Sequence, residues 1–411
     1  MIQVDTNLGE VRVAGSLGLA DYKRVLSAIH RVTVKQGFEE LTLDLSACTA
    51  AFAGGVLVLA AETARIRDKG MEVSVVPPSD DKLLRLFRNA GWLNALDPRQ
   101  PVAPTFAGTQ HVPAMWFRSP EEQHHCVNRL LDTVLGSLPG LTRHDLGAIE
   151  WAVNEVTDNV LVHSESQAGG LVQLSAFSQR KQIEMVVVDA GAGIPCTLRQ
   201  GYPELGLDSL ALEKAVQEGV TRSKNVGRGN GLFGTIEIAR VSQGYLHIHS
   251  GHARLTYEDD DLRLADDQIP FRGSLVVACL DCSDPDSLGN ALKFQGTRHE
   301  PIDVVDPRYA TAEGDDIYFD VMRDAQALGS RAAGVSFRTK VENLLMIRPN
   351  ARLVLDFSGV SVLSSSFADE VVGKLFQSLG PLQFMSRVQL RGLQPTVRGL
   401  LDRAILQRAV E

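Results

Sequence analysis

Cysteine is scarce in this chain. Five residues of 411, odd in number and scattered (Cys48, Cys126, Cys196, Cys279, Cys282), exclude a disulfide framework and fit a reducing compartment. The one close pair, Cys279 and Cys282, ends an apolar run with no second Cys/His pair at zinc spacing, so it reads as packing rather than metal or redox chemistry. No apolar run approaches the ~20 residues that span a bilayer. The opening Met-Ile-Gln-Val-Asp has neither the basic patch nor the apolar stretch of a secretion signal, so the expectation is a cytoplasmic protein without a membrane role. Positive charge is in deficit, 41 Lys and Arg against 50 Asp and Glu for a net charge of -9, and direct nucleic-acid binding is therefore not expected.

What is present suits a globular protein of about three domains. The fold class expected is α/β. Residues 1–97 alternate strand-like runs (Glu10–Ala14, Leu41–Leu45, Glu72–Val76) with helical stretches at 20–35, 53–69 and 80–90. Residues 98–118, punctuated by Pro98, Pro101, Pro104 and Pro113, read as a linker. A central domain follows over 119–282. It opens on Ser119-Pro-Glu-Glu, a capping serine followed by proline and first-turn acids, and continues with a helix from about Thr142 to Ser164. Strands are expected at Leu171–Ser178, Gln182–Asp189, 244–249 and 274–280, and the charged run 259–267 is expected as a solvated loop. A second linker spans 283–312. Residues 313–411 then repeat the first module in outline: Leu43-Asp-Leu-Ser46 and Leu355-Asp-Phe-Ser358 each end a strand before a small-residue turn and a helix.

Three clusters in the central domain carry chemistry. In Glu155-Val-Thr-Asp-Asn159-Val-Leu-Val-His163 the polar residues are four apart, so a helix sets them on one face, a turn beyond Trp151. An amide oxygen such as that of Asn159 can serve magnesium, which keeps several waters and binds phosphates as well. Asp189-Ala-Gly-Ala-Gly193-Ile194 ends an apolar strand, where the carboxylate can accept from an exocyclic amine such as that of adenine and Gly191 and Gly193 let backbone approach a planar ring. Gly227-Arg-Gly229-Asn-Gly231-Leu232 precedes an amphipathic helix whose free N–H groups suit phosphate, with Arg222, Lys224 and Arg228 in a lid-like stretch before it. No Gly-Lys-Ser/Thr of the Walker type follows. Taken singly, the first cluster also reads as a solvated helix face and the second as an ordinary Asp-Gly turn; their succession points to a nucleotide site.

In this order the clusters resemble the GHKL (HATPase) superfamily, which takes in gyrase, histidine-kinase catalytic domains and anti-sigma-factor serine kinases. The resemblance implies a Bergerat-type α/β sandwich that binds ATP and magnesium. It implies Glu155 as general base, Asn159 as magnesium ligand and Asp189 as the adenine acceptor. Gly191, Gly193 and Ile194 would shape the adenine pocket, and Gly229, Gly231 and Leu232 would close on the phosphates together with Lys224. His163 and Ser274 match further nucleotide-contacting positions, the latter in a Gly-Ser step where the superfamily has Gly-Thr. Residues 1–97 resemble a STAS domain and 313–411 a STAS-like domain. In STAS antagonists a serine at the start of the following helix accepts phosphate; here the first module has Phe52-Ala-Gly-Gly55 and the last has Ser364-Ser365-Ser366, which makes Ser365 and Ser366 the candidate acceptors. The implied partner is a STAS-type or sigma-regulatory protein, and a homodimer is compatible with the superfamily. The resemblance leaves three activities open: serine/threonine kinase, ATPase, or a non-catalytic ATP-sensing module.

Overall fold

A computed structural model describes residues 3–7, 9–102, 110–221, 230–294, 296–299, 308–311, 316–325 and 327–409. The chain is α/β, with three larger sheets and one short hairpin among the described residues. In the N-terminal unit β1 (Gln3–Asn7) and β2 (Glu10–Leu17) form a hairpin, and β2 continues in parallel with β3 (Glu40–Asp44). The short strand β4 (Cys48–Ala51) pairs with the end of β2, and β5 (Glu72–Val76) lies parallel to β3. Helices α1 (Tyr22–His30, continued by a π-helical turn at Arg31–Lys35), α2 (Ala53–Asp68), α3 (Asp81–Asn89) and α4 (Trp92–Leu96) accompany them.

The central unit is a five-stranded antiparallel sheet in the order β6-β7-β8-β10-β9. Its elements in chain order are β6 (His111–Phe117), α5 (Pro120–Ser137), α6 (Arg143–His163), β7 (Gly170–Phe177), β8 (Gln182–Asp189), α7 (Ile194–Leu198), α8 (Asp208–Ala215), α9 (Gly231–Val241), β9 (Tyr245–Glu258) and β10 (Asp261–Asp281). Ser119 and Thr142 cap α5 and α6, accepting from the Glu122 and Asp145 N–H groups. Two expectations change here. Residues 111–117 are an edge strand rather than linker, and Pro113 is tolerated because it falls where the β6–β7 register shifts, between Val112 and Met115. The charged run 259–267 is not a loop. β9 and β10 form one long hairpin that turns at Asp259 and Asp260, both with positive φ. The acids of its return strand find partners, Asp266 accepting from the Ser209 hydroxyl (3.0 Å) and Asp267 from the Lys23 ammonium (2.5 Å).

Both faces of this sheet are covered, so β8 reads as a near-continuous apolar run. Ile183, Met185 and Val187 join the core made with α5, α6 and α9, while Val186 and Val188 join the core made with the N-terminal unit. α2 explains the second cover. Its first nine residues are apolar or small on all sides, and such a helix needs burial all round. It lies between its own sheet and strands β7, β8 and β10 of the central one.

From Asp281 the chain runs through a 3₁₀ turn at Leu288–Asn290 and a hairpin of β11 (Lys293–Phe294) and β12 (Thr297–Arg298), within the segment expected as a second linker. The C-terminal unit has β13 (Ile317–Asp320), α10 (Val321–Asp324), α11 (Arg331–Ile347), β14 (Leu353–Asp356), α12 (Ser365–Ala368), a π-helical turn at Asp369–Gly373, α13 (Lys374–Leu379), α14 (Pro381–Arg387), β15 (Val388–Arg391) and α15 (Pro395–Ala409). Its three strands are parallel, in the order β13-β14-β15. The repeated tetrapeptides fold alike: Asp44 accepts from the Ser46 N–H and Asp356 from the Ser358 N–H, each at 2.8 Å, just past the middle strand of its unit's parallel set. α11 rests on α5. There Asn343, 1% exposed, accepts from the Gly140 and Leu141 N–H groups and donates to the Leu135 and Leu138 carbonyls. Among the described residues no helix is long and apolar enough to cross a membrane.

Candidate functional site

A cavity of about 360 Å³ lies between α6, the end of β8, the facing stretch of β10 around Ser274, α7 and the start of α9. That volume is within the range of small-molecule sites. Its wall includes Glu155, Asn159 and His163 from α6, Asp189 from β8, Gly193 and Ile194 at α7, Gly231 and Leu232 at α9, and Ser274 from β10. The spacing of four along α6 sets the first three in a row. Thr142 and Asp145 hold the start of that helix, and Asp145 also accepts from the Asp286 N–H (2.8 Å) and the Leu288 N–H (3.0 Å), which ties the following segment to α6.

Asp189 occupies the enclosed end. It is 2% exposed, and burial pushes its carboxyl up to about 7 against the pull of hydrogen bonds from the Gly191 N–H and from the backbone and hydroxyl of Ser274. The β8–β10 register puts Ser274 directly across from it. Gly193 has φ +81°, open to glycine at little cost, and a Cβ there would meet the Ser250 hydroxyl at 2.8 Å. Gly191 does not line the cavity. Its role is close packing, since a Cβ would come within 1.9 Å of the Ser164 carbonyl, which already accepts from the Ala192 N–H.

The other end belongs to Glu155. Burial raises its carboxyl, and the neighbouring Asp158 charge raises it further. Gly231 begins α9 directly against it: a Cβ on Gly231 would stand 2.6 Å from Glu155 Oε2. One turn on, Gly234 makes room for the Trp151 ring in the same way, its missing Cβ lying 2.2 Å from Trp151 Cη2. These two glycines therefore bring α9 onto α6. Asn230 accepts from the Gly219 N–H (3.1 Å), holding the start of α9 to the chain after α8. Arg222, Lys224, Arg228 and Gly229 lie outside the described residues.

Ser365 and Ser366 are not part of this wall. They open α12 in the C-terminal unit, where Ser364 caps the helix, Ser365 is exposed and the Ser366 hydroxyl stands 3.0 Å from that of Ser364. Several residues in or just behind this wall had no sequence signal. Ser250 links two elements at the Asp189 end, its hydroxyl accepting from the Ile194 N–H (2.9 Å) and donating to the Gly273 carbonyl (2.6 Å). Thr197 and Leu198 line from α7, and Phe294 and His299 from the segment after β10.

The wall sets side-chain oxygens of Glu155, Asp158, Asn159, Asp189 and Ser274 and the imidazoles of His163 and His299 in an apolar lining that includes Val187, Ile194 and Leu232. No group of three or more His, Cys, Asp or Glu that could hold a metal occurs among the described residues. A magnesium ion fits only in company with an anionic ligand, because it accepts one or two protein oxygens when phosphates and water complete its octahedron. Asn159 and Glu155 supply such oxygens.

In comparison with known families, residues 333–398 are similar to the STAS-like domain of unknown function (DUF4325), so the C-terminal unit contains a STAS-like domain. No curated protein matches the chain.

Proposed function

We propose that the central unit is a GHKL-type ATP and magnesium site that turns over ATP, with the flanking units relaying its nucleotide state to a protein partner. What supports this is the convergence of Glu155 and Asn159 on α6 with Asp189 at the end of β8, two separated stretches of sequence, on one cavity. The enclosed Asp189 carboxylate accepts the exocyclic amine of adenine, flanked by the Ser274 hydroxyl and the aliphatic wall. An amine donor favours the ionised form, so binding draws a proton off a group poised near neutrality.

Asn159 would hold magnesium, which would supply neutralisation of charge on the phosphates. Glu155 orients the attacking hydroxyl and takes its proton as the oxygen bonds to the γ-phosphorus and ADP leaves. A carboxyl raised by burial is the more effective base for that step. The acceptor is either water, in an ATPase, or a serine hydroxyl, in a kinase; Ser365, exposed at the start of α12, is the acceptor to test first. The partner proposed is a STAS-type or sigma-regulatory protein.

Incubation of the full chain with γ-labelled ATP and magnesium tests the reading. Label on protein identifies a kinase, free phosphate an ATPase, and bound but unconverted nucleotide a sensor. Glu155→Gln is expected to stop turnover while retaining binding. Absence of any calorimetric signal with ATP and magnesium overturns the nucleotide site altogether.

A further inference from the structure

The cavity has two unlike ends, and the orientation of α6 fixes how far apart they lie. Asp189 sits at the end where α6 finishes, because Gly191 packs on Ser164 just past the last turn. Trp151 marks the other end, about 18 Å back along the helix axis from His163 at 1.5 Å per residue. Glu155 stands one turn from Trp151, at the first residue of α9.

The segment after β10 builds the wall there. Phe294 and His299 come from the two sides of the β11–β12 hairpin, and the His299 N–H donates to the Leu292 carbonyl (2.8 Å), closing the hairpin's base. The rings form one cluster. Phe294 lies 5.7 Å from Trp151, 5.5 Å from His299 and 6.1 Å from Phe233, and His299 lies 6.4 Å from Trp151, all between ring centroids. The 3₁₀ turn that leads into the hairpin is anchored to α6 through the Asp145 carboxylate, which accepts from the Asp286 and Leu288 N–H groups, and through Gly289, which packs on the His144 Cβ. Among the described residues the His299 imidazole is the one hydrogen-bonding side chain this hairpin contributes to the cavity wall, and it stands beside the Trp151 and Phe294 rings.

We propose that His299 is a substrate-contacting residue that donates a hydrogen bond to the distal phosphates of the nucleotide, while Phe294 and Trp151 exclude water from that end. This rests on the nucleotide reading above. With adenine at Asp189, the phosphates extend along α6 past Asn159 toward Glu155, and the aromatic rim is what they meet. A neutral imidazole has one N–H donor and a protonated one has two. Desolvation by the neighbouring rings strengthens a charge-assisted bond to phosphate oxygen. His299 thus gives the site a preference for triphosphate over monophosphate. It also belongs to the segment that leads into the C-terminal unit.

Calorimetry on the full chain with ATP, ADP and AMP, each with magnesium, separates the outcomes. His299→Ala is expected to weaken ATP about tenfold or more and to leave AMP within about twofold, the size of a lost hydrogen bond to a charged group. His299→Gln, which keeps an N–H donor, is expected to restore part of the ATP affinity. Equal losses for ATP and AMP in both variants mean a structural role for the hairpin and overturn the proposal. Unchanged ATP affinity in His299→Ala overturns it as well, while leaving the Asp189 site standing. A wild-type chain that binds none of the three nucleotides overturns this proposal and the nucleotide reading together.

Discussion

Ser274 faces Asp189 across the β8–β10 ladder and donates to its carboxylate from both the backbone N–H and the hydroxyl. Even so, burial wins, and the acid is held near neutrality at about 7. The folded protein therefore keeps a proton on Asp189 between pH 4 and 7 that the unfolded chain has released. This contribution to stability is present in full below about pH 4 and is lost as pH rises through 7.

Asp189→Asn removes that loss. Urea unfolding of the ligand-free protein is expected to show the variant at least as stable as wild type at pH 8, with the difference shrinking toward pH 4; the slope involved is at most about 1.4 kcal/mol per pH unit. Adenine-nucleotide affinity should move the other way, rising in wild type between pH 6 and 8 and staying low and flat in the variant. A variant with wild-type affinity at pH 8 removes Asp189 from the ligand site.

His249 carries the opposite pH dependence. It is 4% exposed on β9, bonded through Nδ1 to the Tyr22 hydroxyl (2.8 Å) of α1, and burial pushes it down to about 3. The folded state keeps it neutral where the unfolded chain takes up a proton, so stability is lost as pH falls from 6.5 toward 3. His249→Gln, which can still pair with Tyr22, is expected to flatten the acid limb of the unfolding free energy against pH. An unaltered limb excludes His249 as its source.

Gly234 separates two helices by the width of one ring. An exposed mid-helix Gly→Ala change gains about 1 kcal/mol, but a Cβ here would overlap the nearly buried Trp151. Gly234→Ala is expected to lose about 1–3 kcal/mol, the usual size of overpacking. Chemical denaturation measures it, and partial recovery in the Gly234→Ala, Trp151→Phe double variant identifies the contact.

Asn343 satisfies four backbone groups at the end of α5. Asn343→Ala strands buried N–H and C=O groups, each costing about 1–3 kcal/mol. Asn343→Leu keeps the volume and not the hydrogen bonds, so both variants should be destabilised alike and both should ease proteolysis near residues 137–141. A near-neutral Asn343→Leu would mean that volume, not polarity, is what matters there.

Much of the fold was legible because its signals are local. The capped start at Ser119, the period of four in α6, the mostly apolar run Ile183–Val188 and the strand ends at Leu43–Ser46 and Leu355–Ser358 depend only on neighbours in sequence. The misread stretches are those where a distant partner overrides local composition. Pro113 looks like a breaker until β7 pairs beside it, and Asp266 and Asp267 look solvated until Ser209 and Lys23 reach them.

The same division runs through the site. Sequence alone determined that Glu155, Asn159 and His163 share a helix face and that Asp189 ends a strand, since both follow from backbone periodicity. Only the tertiary structure decided that Gly231 and Gly234 seat α9 on α6, that Ser250 braces α7, and that Phe294 and His299 close the far wall. Those contacts join residues far apart in the chain, and close packing rather than local propensity selects them.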